Sequence, residues 1–194
     1  MSPRPDFSQL ETWVSRQVGP ERMAHIRGVV KTSGQLAKRY GLSVERARLA
    51  AWFHDCAKEK KRSWMREVLE DSPFRLDGEE KKTPALWHPH AGAAVALRDW
   101  GLRDPAVLEA IRRHTLGAPG MGPLAQVVFV ADFIEPSRKF PGVELARKAA
   151  RKNLGTAVRL KAAMTLEFLL HKDLRIHPRL LETWNYYRSK ESHG

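Results

Sequence analysis

Apolar residues recur at helical spacing along the whole of this 194-residue chain. No segment shows sustained period-two alternation with β-branched enrichment, which is the pattern of a half-buried strand. The sequence therefore predicts an all-α fold with almost no sheet. A length near that of one domain, without a break in composition, predicts a single domain over residues 1–194, with its core in about residues 20–188.

Ten helices are predicted from this spacing and from local start and stop signals. Gly41 is typical of a helix end, Ser43 of the cap of the next helix, and Asp104 before Pro105 of another helix start. The predicted helices are Ser8–Val18, Glu21–Tyr40, Val44–Ala57, Ser63–Asp71, His88–Trp100, Pro105–Thr115, Pro123–Ile134, Val143–Lys152, Gly155–His171 and Pro178–Arg188. The polar stretch Ser72–Pro84 is interpreted as a long surface loop or lid, and Gly117–Pro123 as a second loop.

Cysteine content and hydropathy restrict the class of protein and of metal site. A single cysteine, Cys56, excludes an internal disulfide framework and a cysteine-rich zinc site, so any metal must be held by nitrogen and oxygen. The first 17 residues contain no signal-peptide core, and no stretch approaches the ~18 uncharged apolar residues of a spanning helix. We expect a cytoplasmic protein without membrane contact.

The chain is strongly basic. Lysine and arginine total 34 against 22 acidic residues, which gives a formal charge of +12. A positive field attracts polyanions such as nucleotides, phosphorylated substrates or RNA. The alternative is that these side chains only keep the surface solvated, so charge alone predicts an anionic partner without identifying it.

His54 and Asp55 stand at the end of an apolar predicted helix. Ala47, Ala50 and Ala51 share a helix face with His54, so its imidazole is predicted to point into the core. Asp55 follows about 100° further round and could reach the same ion. Because a single inward histidine is more often a core residue than a ligand, this pair alone leaves both interpretations open.

Three further polar residues lie in apolar surroundings. His25 lies on an apolar stripe, and His114 ends a helix whose buried face is apolar. Asp132 follows the most apolar run of the chain, and burying it costs several kcal/mol unless it is paired or metal-bound. Histidine and carboxylate donors without thiolate suit iron, manganese, cobalt or zinc. The alternative for Asp132 is an ion pair with Arg113 or Arg138.

These residues stand in motifs that resemble a known enzyme family. The motifs are His54-Asp55-Cys56-Ala57-Lys58, Leu86-Trp87-His88, Ile111-Arg112-Arg113-His114-Thr115 and Ala131-Asp132-Phe133-Ile134-Glu135-Pro136-Ser137-Arg138. With His25 before them, their order resembles the HD-domain phosphohydrolase superfamily, and His88 and His114 match its binuclear expansion. Within it, the sequence is similar to the YqeK-type symmetrical bis(5′-nucleosyl)-tetraphosphatases, from Arg22 to about Tyr187.

The resemblance implies a single-domain helical bundle that holds two metal ions. His25, His54, Asp55 and Asp132 would hold one ion, and His88 and His114 the second, with Asp55 bridging the two. Iron is the metal that the resemblance implies, with manganese or cobalt as alternatives. The implied reaction is symmetrical cleavage of diadenosine tetraphosphate to two ADP by a hydroxide that the metal pair activates.

Substrate contacts are predicted beside these ligands. The predicted catalytic residues are Asp55, Lys58 and Arg138. The two cations, Lys58 and Arg138, would bind the polyphosphate and stabilise charge on the leaving group. His114 and the backbone of Gly117 are further predicted contacts, although a glycine-rich turn is weak support. The alternative for Lys58 is a solvated lysine at a helix end.

Several questions stay open at the level of sequence. His90 departs from the family pattern and is expected to be partly exposed and not a ligand. Trp87 or Phe140 could stack an adenine, although such aromatic residues usually belong to the core. Another HD phosphohydrolase acting on other nucleotides or cyclic nucleotides is the alternative enzyme, and a homodimer is an open expectation. A basic RNA- or ribosome-binding module, suggested by Arg147, Lys148, Arg151 and Lys152, is disfavoured because it gives no reason to bury Asp132.

Overall fold

A computed structural model of the protein describes residues 6–191. The chain ends at 1–5 and 192–194, which fall within the predicted domain, lie outside the described residues. Over the described part the chain forms eleven α-helices, one short 3₁₀ helix and no strand, which confirms the all-α prediction. The helices are α1 (Phe7–Ser15), α2 (Pro20–Arg39), α3 (Val44–Phe53), α4 (Arg62–Glu70), α5 (Gly78–Lys82), α6 (His88–Trp100), α7 (Pro105–Arg113), α8 (Pro123–Ile134), α9 (Val143–Lys152), α10 (Leu154–His171) and α11 (Pro178–Glu191), with the 3₁₀ helix at Pro84–Leu86.

Helix α8 forms the centre of the bundle. Val127, Val128, Phe129 and Val130 are buried all round the helix, as expected for a helix that neighbours enclose on every side. Helices α2, α3, α7 and α10 pack against it. The polar side chain of Asp132, in the last turn of α8, therefore lies where four neighbouring helices meet.

Local capping residues fix where the helices begin. The Ser43 hydroxyl accepts a hydrogen bond from the Arg46 N–H at the start of α3. Asp104 accepts from the Ala106 and Val107 N–H groups at the start of α7. Gly41, between α2 and α3, has a φ of 65°, a conformation that glycine adopts without steric cost. The observed end of α2 and the observed starts of α3 and α7 therefore confirm, within one residue, the positions predicted from these signals.

Helix α3 ends earlier than predicted. It stops at Phe53, and residues 54–59 form turns, so the predicted end at Ala57 is wrong. The Cys56 N–H donates to the Phe53 carbonyl, and the Lys58 N–H donates to the Asp55 carbonyl, in the tighter i→i+3 pattern of a helix terminus. His54 and Asp55 consequently lie at the helix end, where their side chains face the neighbouring helices.

The Ser72–Pro84 stretch is not only a surface loop. It contains α5, which begins at a capping box formed by Asp77 and Glu80. The Glu80 side chain is buried. Arg179, from the start of α11, donates hydrogen bonds to both carboxylates. The His90 ring nitrogen Nε2 lies 3.0 Å from Glu80 Oε1. His90 is buried, so the expectation that it is partly exposed was wrong, because Glu80 supplies an internal partner.

Replacing Glu80 by glutamine should make the protein less stable at neutral pH. Burial raises the pKa of Glu80, but hydrogen bonds from His90, the Asp77 N–H and Arg179 outweigh it and lower the pKa to about 2. A carboxylate whose pKa is lower in the folded than in the unfolded state stabilises the fold at pH values above the unfolded-state pKa. This stabilisation is lost as the pH falls from about 4.5 towards 2. Glu80→Gln keeps the capping shape and removes the charge, so we expect a loss of about 2 to 3 kcal/mol at pH 7.

Denaturant unfolding at pH 7, 4.5 and 3 measures this effect. The variant should lose less stability than the unmodified protein over the acidic range. Glu79→Gln removes the same charge from the neighbouring, partly exposed residue, whose ion pairs with Lys82 and Arg175 lie at the surface, and should change stability little. Equal unfolding curves for the Glu80 variant and the unmodified protein would show that the buried network does not stabilise the fold.

Candidate metal centre

The six side chains predicted as metal ligands lie in one buried cluster. They come from α2 (His25), the end of α3 (His54 and Asp55), the start of α6 (His88), the end of α7 (His114) and α8 (Asp132). All are buried except Asp132, whose side chain is 17% exposed. The separated motifs of the sequence therefore converge, as a shared site requires.

Asp55 lies at the centre of this cluster. Its Oδ1 atom is 3.2 Å from Nε2 of His88 and 3.3 Å from Nε2 of His114. Its Oδ2 atom is 3.8 Å from Nε2 of His25 and 3.7 Å from Nε2 of His54. Each carboxylate oxygen thus faces a different pair of histidines. His25 is also 3.2 Å from Oδ1 of Asp132, which adds a second carboxylate to its half of the site.

All four histidines have a hydrogen-bond acceptor at Nδ1. The acceptors are the Ala51 carbonyl for His54 (2.6 Å), the Ala85 carbonyl for His88 (2.8 Å), the Ile111 carbonyl for His114 (2.8 Å) and the Glu135 carboxylate for His25 (3.1 Å). A carbonyl or carboxylate can only accept, so the Nδ1 atoms carry the protons. In neutral imidazoles this leaves a lone pair on every Nε2.

These lone pairs face one another in pairs. The two Nε2 atoms are 3.4 Å apart for His25 and His54, and 3.2 Å apart for His88 and His114. Two acceptors at this distance repel unless a proton or a cation lies between them. For each histidine pair, a ring nitrogen from both histidines and an oxygen of Asp55 all lie within 4.8 Å of one another. Nitrogen and oxygen donors arranged in this way fit two metal cations.

The protonation states suit metal binding at neutral pH. Burial lowers the pKa of His54 to about 3 and the pKa of His88 to about 4, and the charge of Asp55 only partly opposes this. Burial would raise the pKa of Asp55, but the neighbouring histidines outweigh it and hold the pKa well below its usual range. Ligands must be neutral imidazole and ionised carboxylate, and these side chains are in those states before any ion arrives.

Four cationic side chains surround the two carboxylates. Lys58 and Arg138, both predicted, lie beside the cluster: Lys58 Nζ is 3.4 Å from the His88 ring, and Arg138 is 3.1 Å from Asp132 Oδ1. The ion pair with Arg138 that was the alternative for Asp132 is therefore present together with the clustered histidines. Arg22 is 2.8 Å from Asp55 Oδ2, and Lys161 is 2.9 Å from Asp132 Oδ2. Sequence reasoning missed Arg22 and Lys161.

The cluster opens into a cavity of about 740 Å³. Asp55, His114 and Asp132 line one part of it, beside Arg22, Lys58, Arg138 and Lys161. Five apolar side chains, here called the apolar wall, also line the cavity: Phe133, Phe140, Pro141, Met164 and Phe168. Cationic and metal-ligating side chains and the apolar wall therefore line one cavity.

Two predicted contacts lie elsewhere. Gly117 is not among the cavity residues; a Cβ atom there would lie 2.7 Å from Thr183, so Gly117 packs against α11. Trp87 is buried in the core, and its indole N–H donates to the Glu80 carbonyl. Neither position supports the predicted or alternative substrate contact. Phe140 does line the cavity.

Part of the basic cluster at residues 147–152 has a structural role. Arg147 pairs with Glu144 and donates hydrogen bonds to the carbonyls of Ile134, Glu135 and Arg138. It therefore fixes the segment that follows α8. This use of Arg147 accounts for one of the four cations that suggested an RNA-binding surface.

A third group of possible metal-binding side chains has a simpler explanation. Ligand atoms of Asp77, Glu80 and His177 also lie within 4.8 Å of one another. Arg179 donates to both carboxylates, and His177 Nε2 lies 3.2 Å from Asp77 Oδ1. The guanidinium already supplies the positive charge that a metal ion would bring, so we interpret this group as a salt-bridge network.

No helix among residues 6–191 combines the length and the apolar character that a membrane span needs.

Comparison with known proteins places the chain in a family. The model of the HD domain matches residues 22–137. Proteins named symmetrical bis(5′-nucleosyl)-tetraphosphatase are 38% identical in Bacillus subtilis, over 89% of this chain and 92% of the relative, and 40% identical in Halalkalibacterium halodurans, over 84% and 87%. A crystal structure from Clostridium acetobutylicum, described as a predicted HD superfamily hydrolase involved in NAD metabolism, superposes with a TM-score of 0.90 at 33% identity, over 96% of this chain and 98% of that one. The chain therefore belongs to the HD domain family, in the group that contains the symmetrical bis(5′-nucleosyl)-tetraphosphatases.

Proposed function

We propose that this protein hydrolyses dinucleoside tetraphosphates symmetrically, and that diadenosine tetraphosphate and water give two molecules of ADP. The observation that carries the proposal is the position of Asp55, whose two oxygens face two separate histidine pairs. The Bacillus subtilis and Halalkalibacterium halodurans relatives bear the name of this activity and match most of the chain. Their names support the substrate, and the geometry supports the reaction class.

The proposed metal ligands follow from the facing histidine pairs. His25, His54, Asp55 and Asp132 would hold one ion, and His88, His114 and Asp55 would hold the other. When bound, two such ions supply an activated water and positive charge for the phosphoryl oxygens. Iron is proposed from the resemblance, while manganese and cobalt also suit nitrogen and oxygen donors.

Three cations are placed to bind the polyphosphate. Arg22, Lys58 and Arg138 line the cavity beside the proposed metal ligands. Arg138 also donates from Nε to the Asp132 carbonyl, which fixes the direction of its guanidinium. A tetraphosphate carries several negative charges, and charge-assisted hydrogen bonds to guanidinium and ammonium groups are the strong ones. We therefore assign these three side chains to phosphate binding and to charge stabilisation on the leaving ADP.

The apolar wall is suited to a nucleoside. The rings of Phe133 and Phe140 lie 4.6 Å apart, and the Phe168 side chain remains 54% exposed at the same cavity. Exposed aromatic rings bind bases by stacking. The cavity thus offers separate surfaces for the two chemical parts of a nucleotide.

Cytoplasmic location and a homodimer remain predictions.

Product analysis tests the proposed reaction. The purified protein, reconstituted with iron, manganese or cobalt, is incubated with diadenosine tetraphosphate in ¹⁸O-labelled water. We expect ADP as the only nucleotide product, with one labelled oxygen for every two ADP molecules. ATP plus AMP, or no turnover with any of the three metals, would contradict the proposal. Parallel assays with cyclic AMP and deoxynucleoside triphosphates test the alternative that this is a different HD phosphohydrolase.

A further inference from the structure

Lys161 is a buried lysine whose hydrogen-bonding capacity is completely used. It lies on α10 and is 4% exposed. Its Nζ atom donates to Asp132 Oδ2 (2.9 Å), to the His114 carbonyl (2.8 Å) and to the Phe129 carbonyl (2.7 Å). An ammonium group has three N–H donors. None is left for a substrate, although Lys161 borders the cavity.

Two of these three bonds reach residues that carry proposed metal ligands. Asp132 belongs to one histidine pair through His25, and His114 belongs to the other pair. Lys161 therefore donates hydrogen bonds to both segments. Its ammonium connects the two halves of the site through Asp132 Oδ2 and the main chain of His114.

We infer that Lys161 is a positioning residue, which directs Asp132 towards its metal ion, while its bonds to the His114 and Phe129 carbonyls hold the ammonium in place. This inference rests on the proposed binuclear function. Asp132 has two oxygens, and Lys161 holds Oδ2, so Oδ1 faces Nε2 of His25 at 3.2 Å. Arg138 donates to Oδ1 (3.1 Å), so without Lys161 the carboxylate keeps that partner but loses the one that holds Oδ2, and its orientation towards His25 is less restricted.

The cost of burying Lys161 supports a specific role. A buried ammonium is strongly disfavoured unless it is paired and hydrogen-bonded. The carboxylate of Asp132, two carbonyls and the Phe129 ring, 4.0 Å from Nζ, offset this cost. The neighbouring buried positions of α10 are the small apolar residues Ala157, Val158 and Ala162, so an apolar side chain would satisfy packing alone at position 161.

Metal titration of the Lys161→Met variant tests the inference. Metal-free protein is titrated with Mn²⁺ and followed by calorimetry, while circular dichroism and thermal melting monitor the fold. We expect two sites in the unmodified protein and weakening of one site by about 10- to 100-fold in the variant, the usual effect of losing a group that orients a ligand. Lys148→Met removes the same charge from an exposed lysine and should leave both affinities unchanged.

Comparison in an Asp132→Asn background separates positioning from general packing. If Lys161 acts through Asp132, adding Lys161→Met to Asp132→Asn should change metal affinity less than about twofold, because interacting residues are not additive. An equal loss in both backgrounds would overturn the inference. If Lys161→Met does not fold, Lys161→Gln, which keeps an N–H donor without the charge, replaces it in the same cycle.

The outcomes separate this inference from the proposed function. Unmodified protein that binds no metal would refute the binuclear site itself. Two sites in the unmodified protein, with unchanged affinities in the Lys161 variant, would refute only the role of Lys161.

Discussion

The Asp55→Ala variant should contain almost no metal and hydrolyse diadenosine tetraphosphate at least about 10³-fold more slowly, because the charge stabilisation that metal ions supply is worth several kcal/mol. In the unmodified protein the two carboxylate oxygens of Asp55 face both histidine pairs, and no other side chain among the described residues does so. Elemental analysis and steady-state kinetics measure the two losses. We expect about two metals per chain in the unmodified protein.

The helical fold should survive this substitution. Asp55 lies in a turn after the end of α3, and Phe53, Cys56 and Ala57 near it are apolar core residues, so the circular dichroism spectrum should be retained. His54→Ala should also lose metal and activity. Asp99→Ala removes a carboxylate that pairs with the exposed Arg98 and serves as the control. Full metal content in the Asp55 variant would show that the ligand assignment is wrong.

The Lys58→Met variant should keep its metal and lose activity. Lys58 Nζ lies 3.4 Å from the His88 ring and borders the cavity, but a cation does not ligate a metal. If it stabilises charge on the phosphates in the transition state, its removal should lower kcat/KM by about 10²-fold, the usual cost of losing one such donor. An unchanged metal content would separate this effect from the loss in the Asp55 variant.

The division between kcat and KM identifies the step that Lys58 serves. A fall in kcat indicates an interaction made in the transition state, whereas a rise in KM alone indicates equal binding of substrate and transition state. Lys61→Met changes a nearby exposed lysine in the same way and should have little effect. Normal kcat/KM in the Lys58 variant would support the alternative that Lys58 is a solvated lysine at a helix end.

Spacing and capping predicted most of the fold. Apolar residues at helical intervals placed α2, α6, α7, α8 and α9 within a few residues of their observed positions. The same spacing showed that His25 and His54 face inward, and the burial cost of Asp132 indicated a common site. Helix periodicity carries this information because it decides which side of each helix meets the core.

Contacts between distant residues could not be predicted in this way. Lys161 lies 47 positions from His114 in the sequence, and its pairing with Asp132 depends on how α10 crosses α8. A lysine among Ala157, Val158 and Ala162 was the available signal. His90 was placed wrongly for the same reason, since Glu80, its partner, lies in a segment that composition identified only as a loop. Arg22 gave no signal beyond its charge.

The wide separation of the site residues along the chain determines when the proposed metal site can form. His25 and the Glu135 carboxylate that orients it are 110 positions apart, and Lys161 follows later still. A nascent chain on the ribosome cannot assemble either half of the cluster before most of its length has been synthesised. The proposed ligand sets are therefore complete only when most of the chain has folded, so metal binding would stabilise the whole fold and not one segment of it.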